Sequence, residues 1–287
     1  MARASLTVTP FIDSLAERLA ASRSPGIILH WLGQAGFVVT TPRYRLVIDP
    51  YLSDSLARKY RGSATPHERI MAAPATPQEL GPVDLVLCTH HHTDHMDGET
   101  LKPLAEAHPQ LRFVVPRAAL ALSRERIGVD VERLVPLNAG ERVEPLPGVV
   151  VRALRAAHET LEKDAEGHHR FLGYGIEMEG RCIFHSGDTI PFPRQTDDVA
   201  AIAPDLALLP ANGRSERLRA LEVAGNLTIA EAIGLAQACA IPAMIAHHCG
   251  MFAFNTADPR EIDHAASRAA LQVLRAELQM EYAFSPV

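Results

Sequence analysis

The chain lacks most of the features that mark secreted, membrane-spanning or disulfide-stapled proteins. Its 287 residues include four cysteines, and none of them stands in a C-x-x-C pair. A disulfide framework is therefore excluded, and a reduced, cytoplasmic compartment is the simplest expectation. The first 21 residues contain no long apolar run, so we expect neither a signal peptide nor a membrane span.

Positive charge is scarce as well. The chain has 28 Lys and Arg residues against 34 Asp and Glu residues, which gives a net charge of -6. A protein that binds nucleic acid needs a sustained basic surface to offset the phosphates, and the nearest basic runs, 152–155 and 214–219, are short. We therefore predict a small-molecule substrate and no nucleic-acid or membrane partner, and we leave open whether the chain forms a homo-oligomer.

Apolar residues, by contrast, make up 47% of the chain, which is enough for a sizeable core. Short apolar runs such as 27–31, 37–40 and 45–48 predict buried strands, and further along the chain such runs alternate with helical patterns. Each half of the chain consists of strands followed by helices. We therefore predict an α/β protein in which two sheets pack face to face with helices outside, as one domain spanning residues 1–287.

Two helices are predicted near the ends of the chain. Residues Phe11 to Ala21 place apolar side chains on one stripe, with Thr9 as a cap and Pro10 in the first turn. Asp258 and the proline after it are typical of a helix start, and the apolar spacing predicts a long helix that ends near Gln279. Packing against the core is the role expected for both helices.

Residues 53–80 form the least regular stretch, with three prolines and no clear period. A loop of this length is uncommon in a compact domain unless it is a lid or a binding loop. His67 and Arg69 within it either reach a substrate or are ordinary solvated residues. Asp49, which follows the strand predicted at 45–48, either caps a turn or accepts a hydrogen bond from a metal-ligating histidine.

The most informative stretch is residues 88–97, Cys-Thr-His-His-His-Thr-Asp-His-Met-Asp, which follows a short apolar run. That run predicts a buried strand, so the polar residues lie on the loop after it. His90, His92 and Asp94 alternate along the chain and can point into one cavity from an extended loop. His95 follows Asp94 directly. Neutral imidazole is the commonest protein ligand for borderline metals, so the pattern H-x-H-x-D-H predicts a metal-binding loop.

Polar residues follow predicted strands at three further places in the chain. They are His158, Asp188 in the sequence Ser-Gly-Asp-Thr, and the pair His247-His248. Of the pair we favour His248, which lies one residue further from the apolar strand. A single zinc needs three or four ligands, so seven indicate two metals that share a carboxylate. The economical assignment is His90, His92 and His158 on one metal, Asp94, His95 and His248 on the other, and Asp188 between them.

This order of motifs resembles the metallo-β-lactamase superfamily: H-x-H-x-D-H, a lone His, G-D-T and a C-terminal His. The resemblance covers the chain from Trp31-Leu32-Gly33 to the final helix. It implies a four-layer αββα sandwich, in which two mixed β-sheets are flanked by helices, with a dinuclear metal site at one edge of the sheets.

Three further motifs resemble the L-ascorbate-6-phosphate lactonase family within that superfamily. They are Leu209 to Arg214, Gly225 to Thr228 and His248 to Phe252. Family members usually carry His-aromatic-Asp-Met-Phe in the third motif, where this chain has Cys249 and Gly250. The resemblance implies lactonase chemistry supported by two divalent metal ions, manganese or zinc.

We therefore predict a metal-dependent hydrolase, lactonase- or esterase-like, that opens a lactone or ester of a small anionic substrate such as a phosphorylated sugar acid. Two metals lower the pKa of water to about 7, which makes a metal-bound hydroxide available for attack. Asp94 orients that nucleophile or passes a proton to the leaving group. Because a guanidinium binds carboxylate or phosphate with two hydrogen bonds, polar residues between 212 and 226 are predicted to hold the anionic group. They are Asn212, Arg214, Arg217 and Asn226.

Two other classes stay open at this point. A phosphodiesterase or another hydrolase of the superfamily would use the same metal site on a different bond. A non-catalytic metal-binding scaffold would keep the fold without the reaction. A panel of lactones, phosphodiesters and a chromogenic β-lactam separates these classes.

Overall fold

The computed structural model describes residues 6–21 and 26–284. The described residues form fifteen strands: β1 Leu6–Pro10, β2 Ile28–Gly33, β3 Gly36–Thr40, β4 Arg45–Ile48, β5 Leu85–Leu87, β6 Arg112–Pro116, β7 Leu134–Leu137, β8 Arg142–Leu146, β9 Val149–Arg155, β10 Leu172–Met178, β11 Arg181–His185, β12 Leu206–Pro210, β13 Ala243–His247, β14 Gln272–Arg275 and β15 Met280–Phe284. They also form eight α-helices: α1 Leu15–Ala20, α2 Ser55–Lys59, α3 Gly98–Ala107, α4 Leu120–Ile127, α5 Gln195–Ala200, α6 Glu216–Ala220, α7 Ile229–Ala238 and α8 Pro259–Ser267. Within these ranges no helix combines the length and the apolar character that crossing a membrane requires.

The strands form two mixed sheets. The first has eight strands in the order β1-β15-β2-β3-β4-β5-β6-β7, and the second has seven in the order β14-β13-β12-β11-β10-β9-β8. Strands joined by short turns pair antiparallel, whereas β4 to β7 and β11 to β14 pair parallel. Parallel neighbours need a crossover connection, which the helices between them provide. The carboxyl ends of the parallel strands therefore meet at one edge of each sheet.

The two sheets pack face to face, and helices cover their outer faces. Between the sheets lies a core of buried side chains from both, including Trp31, Phe37 and Tyr174. Helices α1, α3 and α4 pack on the first sheet through residues such as Leu101. Helices α5, α7 and α8 pack on the second sheet through residues such as Leu235. The predicted αββα arrangement of two mixed sheets flanked by helices is confirmed.

The hairpin at the centre of the second sheet follows from its local sequence. Glu179 and Gly180 join β10 to β11, and both have positive φ, 48° and 71°. Two successive residues in the left-handed region make a turn whose twist matches that of the flanking strands. Met178 pairs with Arg181 across this turn, so the hairpin predicted at Glu179-Gly180 is confirmed.

The helix predicted for residues Phe11 to Ala21 starts later than expected. The Ser14 hydroxyl accepts a hydrogen bond from the backbone N–H of Glu17, and the Glu17 carboxylate accepts one from the Ser14 N–H. This capping box satisfies the free donors at the start of α1. Thr9 and Pro10 belong instead to β1, which pairs with β15. The predicted cap at Thr9 was wrong because strand pairing and a better capping sequence decided the boundary.

The long helix predicted to end near Gln279 is also shorter. Asp258 caps α8 as predicted, but the helix ends at Ser267. The residues after it form β14, which pairs parallel with β13, and β15, which lies between β1 and β2. The apolar spacing fitted a helix, but pairing with strands of both sheets overrode that preference.

Candidate metal centre

The side chains predicted as ligands meet at one edge of the two sheets. His90, His92, Asp94 and His95 follow β5, His158 follows β9, Asp188 follows β11, and His248 follows β13. Strands β9 and β11 run in the same direction because both pair antiparallel with β10, and β13 runs parallel to both. Their carboxyl ends therefore lie at the same edge, where the loop after β5 joins them from the other sheet.

The seven side chains form three overlapping groups whose ligand atoms lie within 4.8 Å of one another. These are His90, His92 and His158; Asp94, His95 and His248; and His90, His95 and Asp188. Asp188 Oδ1 lies 3.3 Å from His95 Nε2 and 3.2 Å from His248 Nε2. Asp188 Oδ2 lies 3.7 Å from His158 Nε2. The structure thus brings together all seven predicted ligands, with one carboxylate between two triads.

Asp49 and Thr89 orient the His95 ring through hydrogen bonds on the side away from the cluster. Asp49 Oδ2 lies 2.7 Å from His95 Nδ1 and accepts a hydrogen bond from Thr89 Oγ1 at 2.6 Å. Asp49 Oδ1 accepts the backbone N–H of Thr89 at 2.7 Å. A carboxylate on Nδ1 fixes the ring so that Nε2 faces a metal. Of the two roles left open for Asp49, the structure shows the hydrogen bond to a predicted ligand.

Several ligand atoms in the cluster are buried without a hydrogen-bond partner. Within the described residues they include His90 Nε2, His95 Nε2 and Asp188 Oδ1. Each unsatisfied buried polar atom costs on the order of 1–3 kcal/mol, so atoms of this kind that converge on one small volume call for a common partner. A divalent cation bound by imidazole and carboxylate is such a partner, and this donor set suits zinc or manganese. The residues therefore fit a metal site.

The electrostatics favour neutral imidazoles at His90 and His158 and an ionised carboxylate at Asp188. Burial lowers the pKa of His90 well below its usual value and the pKa of His158 to about 4, which leaves their lone pairs free at neutral pH. Burial acts to raise the pKa of Asp188, but His248 and His95 hold it well below its usual range. For His95 burial is likewise outweighed, because Asp188 and the other nearby carboxylates raise its pKa well above the usual value. A bound cation would take the place of that proton.

The backbone of the site is strained at residues that touch this cluster, among them Asp49 and His248. The φ angle is 43° at Asp49 and 61° at His248, in the left-handed region that non-glycine residues seldom occupy. Such conformations cost on the order of 1–3 kcal/mol and concentrate at functional sites. Gly187 also has a positive φ, 60°, and a Cβ there would lie 2.8 Å from Thr89 Cβ. The missing side chain lets the loop after β11 approach the loop after β5.

Gln34 completes the site and was missed by the sequence analysis. Its Nε2 donates to Asp94 Oδ2 at 2.9 Å and lies 3.2 Å from His248 Nε2, and its backbone carbonyl accepts from His248 N at 2.9 Å. It is buried in the turn between β2 and β3, with φ 50°. The signal that could have found it is a polar residue in a turn between Gly33 and Gly36, inside an otherwise apolar hairpin.

His248 faces the cluster and its neighbour His247 does not. His247 stacks on His185 with 4.9 Å between ring centroids and packs edge-on against Phe37 at 5.6 Å. Burial lowers the pKa of His247 well below its usual value, so it is a neutral core residue. His185, left as structural in the sequence analysis, lies 2.8 Å from the Ala35 carbonyl oxygen through Nε2.

The cluster opens onto a cleft of about 440 Å³, a volume that suits a small molecule. Apart from the predicted ligands, the lining consists of Leu56, Lys59, Tyr60, Thr65, His67, His91, Thr93, Arg126, Leu221, Glu222, Val223, Ala224 and Asn255. Lys59 and Arg126 are the lysine and arginine of this lining, and neither forms an ion pair with a described residue. Residues 53–80 thus contribute a wall of the cleft.

Four residues predicted to hold an anionic substrate are not part of this lining in the described structure. They are Asn212, Arg214, Arg217 and Asn226. Arg214 forms two hydrogen bonds of 2.6 Å with the Glu231 carboxylate. Asn226 donates to Asn212 Oδ1 at 3.1 Å, and Asn212 donates to Asn255 Oδ1 at 2.8 Å. Arg217 is exposed on α6. Their described hydrogen bonds join the segment after β12 to its neighbours, and their role in holding a substrate stays a prediction.

Of the two residues singled out in segment 53–80, His67 lines the cleft and Arg69 does not. Arg69 donates to the backbone carbonyls of Tyr51 at 3.0 Å and Met71 at 3.3 Å. It therefore holds the segment together. Of the two roles left open for these residues, His67 lies where a substrate can reach it, whereas Arg69 is bound to backbone carbonyls.

Comparison with known protein sequences agrees with this geometry. A sequence model described as the Beta-lactamase superfamily domain matches residues 44–249, a range that contains all seven predicted ligands. A metal-dependent hydrolase of Polynucleobacter asymbioticus is 32% identical over 201 residues, which cover 64% of this chain and 64% of that protein. The N-acyl-phosphatidylethanolamine-hydrolyzing phospholipase D 1 of Caenorhabditis elegans is 27% identical over 170 residues, 57% of this chain and 47% of that protein. These matches span less than two thirds of either relative.

Solved structures give the same fold. The isothiocyanate hydrolase from Delia radicum gut bacteria superposes with a TM-score of 0.71 at 19% identity. The superposition covers 91% of this chain and 100% of the isothiocyanate hydrolase chain. At this identity the likeness concerns the fold, and it supports the two-sheet architecture described above.

Proposed function

The chain belongs to the metallo-β-lactamase superfamily, and we propose that it is a metal-dependent hydrolase that opens a lactone or ester of a small anionic substrate. The observation that supports the proposal most is the arrangement of buried ligands as two triads around Asp188. Zinc or manganese ions bound there would supply a water of lowered pKa as nucleophile. The residues that would hold them are His90, His92, Asp94, His95, His158, Asp188 and His248.

Asp94 is the residue that we assign to the attacking water. Its side chain is 17% exposed at the floor of the cleft, and Gln34 holds its Oδ2 with a hydrogen bond of 2.9 Å. Burial acts to raise the pKa of Asp94, but the His95 and His248 imidazoles keep it below its usual value. An ionised carboxylate held in this way accepts a hydrogen bond from water and fixes its direction of approach.

Lys59 and Arg126 are the residues that we assign to the anionic group of the substrate. Both residues line the cleft. Both also line an adjoining groove, so they lie on the same side of the cleft. Arg126 Nη1 donates to the backbone carbonyls of His91 and Met96, which fixes the guanidinium beside the metal loop. Two cations without an acidic partner among the described residues suit a carboxylate or a phosphate.

A substrate panel tests the proposal. The protein loaded with zinc or with manganese is offered lactones and esters, with and without a phosphate or carboxylate, together with phosphodiesters and a chromogenic β-lactam. We expect hydrolysis of an anionic lactone or ester that a chelator abolishes and that added metal restores. A protein that binds its metals and hydrolyses none of these compounds would contradict the proposal. The motifs that resemble the ascorbate-6-phosphate lactonases make a phosphorylated sugar-acid lactone the first compound to assay.

A phosphodiesterase is the second candidate. The similar protein from Caenorhabditis elegans is named as a phospholipase D, and Lys59 and Arg126 suit a phosphodiester as well as a free anionic group. On this alternative the same panel shows cleavage of phosphodiesters while lactones and esters stay intact.

A further inference from the structure

His67 lies in the cleft but outside the metal cluster. It lines the same cavity as Asp94 and belongs to the irregular segment that forms the cleft wall. Tyr60 stacks on its ring with 4.3 Å between centroids. The rings of Phe252 and Phe254 pack edge-on against it at 5.1 Å and 4.7 Å. Three aromatic neighbours therefore hold this imidazole in one orientation.

A backbone hydrogen bond determines which nitrogen of His67 carries the proton. Nδ1 lies 2.7 Å from the carbonyl oxygen of Thr65. Because a carbonyl oxygen only accepts, Nδ1 must be the donor, and in the neutral ring Nε2 then carries the lone pair. No described residue forms a hydrogen bond with Nε2. The lone pair is therefore available to a molecule in the cleft.

The groups around the ring keep it neutral near pH 7. Burial lowers the pKa of His67, and the Lys59 ammonium on α2 adds to that effect. The Thr65 carbonyl and the Asp94 carboxylate on the metal loop act in the opposite direction but do not prevail. Tyr60 presents an uncharged ring face. A neutral imidazole that is held in place and faces a reaction cleft has the properties of a general base.

We propose that His67 is a catalytic residue that carries a proton from the attacking water to the leaving oxygen, an inference that rests on the proposed ester or lactone hydrolysis. The O–H bond of water breaks as its oxygen bonds to the acyl carbon, and Nε2 takes the proton. The acyl C–O bond then breaks, and the same proton moves from Nε2 to the leaving oxygen. His67 ends neutral, as it began, and Asp94 orients the water throughout.

Packing is the competing role for this side chain, and two substitutions separate it from proton transfer. His67→Phe keeps an aromatic ring among Tyr60, Phe252 and Phe254 but removes both nitrogens. His67→Gln keeps a hydrogen-bonding group near the position of Nε2 but cannot carry a proton. His264→Gln, at an exposed position on α8, is the matched control.

Kinetics and metal content are measured together for the wild type and the three variants. We expect all four proteins to bind the same amount of metal by elemental analysis. The kcat of His67→Phe and His67→Gln should fall by about 10²-fold or more, the usual contribution of general acid–base catalysis. The KM of His67→Gln should change little. Its pH profile of kcat should lack the fall at low pH that protonation of Nε2 causes in the wild type. The control should behave as the wild type does.

A second readout does not depend on turnover. Nitrogen NMR of the imidazoles in the wild-type protein should show His67 with a protonated Nδ1 and an unprotonated Nε2. A proton on Nε2 instead would overturn the proposal, as would a His67→Phe or His67→Gln protein with wild-type kcat. A wild type that hydrolyses no lactone or ester removes the proposed function together with this inference. A wild type that hydrolyses them while the His67 variants stay fully active removes this inference alone.

Discussion

The loop after β5 and the segment after β12 both place polar side chains at the carboxyl end of a buried strand, yet they differ in how those side chains are satisfied. In the first, His90 Nε2 and His95 Nε2 are buried without a hydrogen-bond partner. In the second, Arg214 is matched by Glu231 with two hydrogen bonds, and its side chain is 31% exposed. The convergence of several unpaired buried ligand atoms on one small volume, and not polarity after a strand, distinguishes the candidate metal centre.

The comparison predicts that a single change in the metal centre has a far larger effect on activity than any change in the segment after β12. Asp188→Ala removes the carboxylate that lies between the two triads. We expect a loss of at least about 10³-fold in kcat/KM, because metal activation of water is worth several kcal/mol. Asp13→Ala, on an exposed residue, is the control and should keep full activity. A fully active Asp188→Ala protein would remove the site as assigned.

A smaller loss of metal affinity or activity is expected when Asp49, which forms a hydrogen bond with His95, is changed. Asp49→Asn keeps the size of the side chain but weakens its hold on His95 Nδ1 and on Thr89. Partners of metal-ligating histidines typically contribute 10–100-fold in metal affinity or activity, so we expect a loss of about that size. Titration of the metal-free protein with zinc measures the affinity. An unchanged affinity would mean that His95 does not depend on Asp49 for its orientation.

Cationic side chains that line the cleft should affect substrate binding more than the arginine in the segment after β12. Lys59→Met removes a charge that lines the cleft, and we expect KM for the anionic substrate to rise by about 10-fold or more, since a hydrogen bond to a charged group is worth about 1.5–3 kcal/mol. Arg214→Met removes a charge outside the lining and should leave KM unchanged. The reverse result would support the sequence-based assignment of Arg214 to the substrate.

The smallest effect concerns stability and its dependence on pH. The Arg214 guanidinium lowers the pKa of Glu231 from 4.5 to about 2, so the pair stabilises the fold fully above pH 4.5 and loses that contribution as the pH falls toward about 2. Because the pair is partly exposed, Arg214→Met should cost at most about 1 kcal/mol at neutral pH. Urea unfolding should show this deficit shrinking with acidification. A deficit that grows in acid would contradict the stated role of the pair.

The ligands could be predicted from the sequence because their chemistry is concentrated in a short pattern. The spacing of His90, His92 and Asp94 after an apolar run is local, and local information is what a sequence displays directly. Asp188 and His248 were accessible for the same reason, since each lies within three residues of the end of a strand that is apolar enough to be recognised. The two sheets followed from the alternation of strand and helix patterns.

The remaining parts of the site depend on contacts between distant segments. Lys59, His67 and Arg126 reach one cleft from segments that have no recognisable motif. Gln34 meets Asp94 across 60 positions of the chain. The end of α8 was misplaced for a related reason, because β14 exists through its pairing with β13 and not through its own propensity.

Elemental analysis of the protein purified without chelators, before and after loading with zinc or manganese, tests whether the cluster is a two-metal site. We predict two metal ions per chain in the loaded protein and fewer in the Asp188→Ala variant. A wild-type chain that stays metal-free when both metals are offered, or a variant that binds as many ions as the wild type, would contradict this prediction.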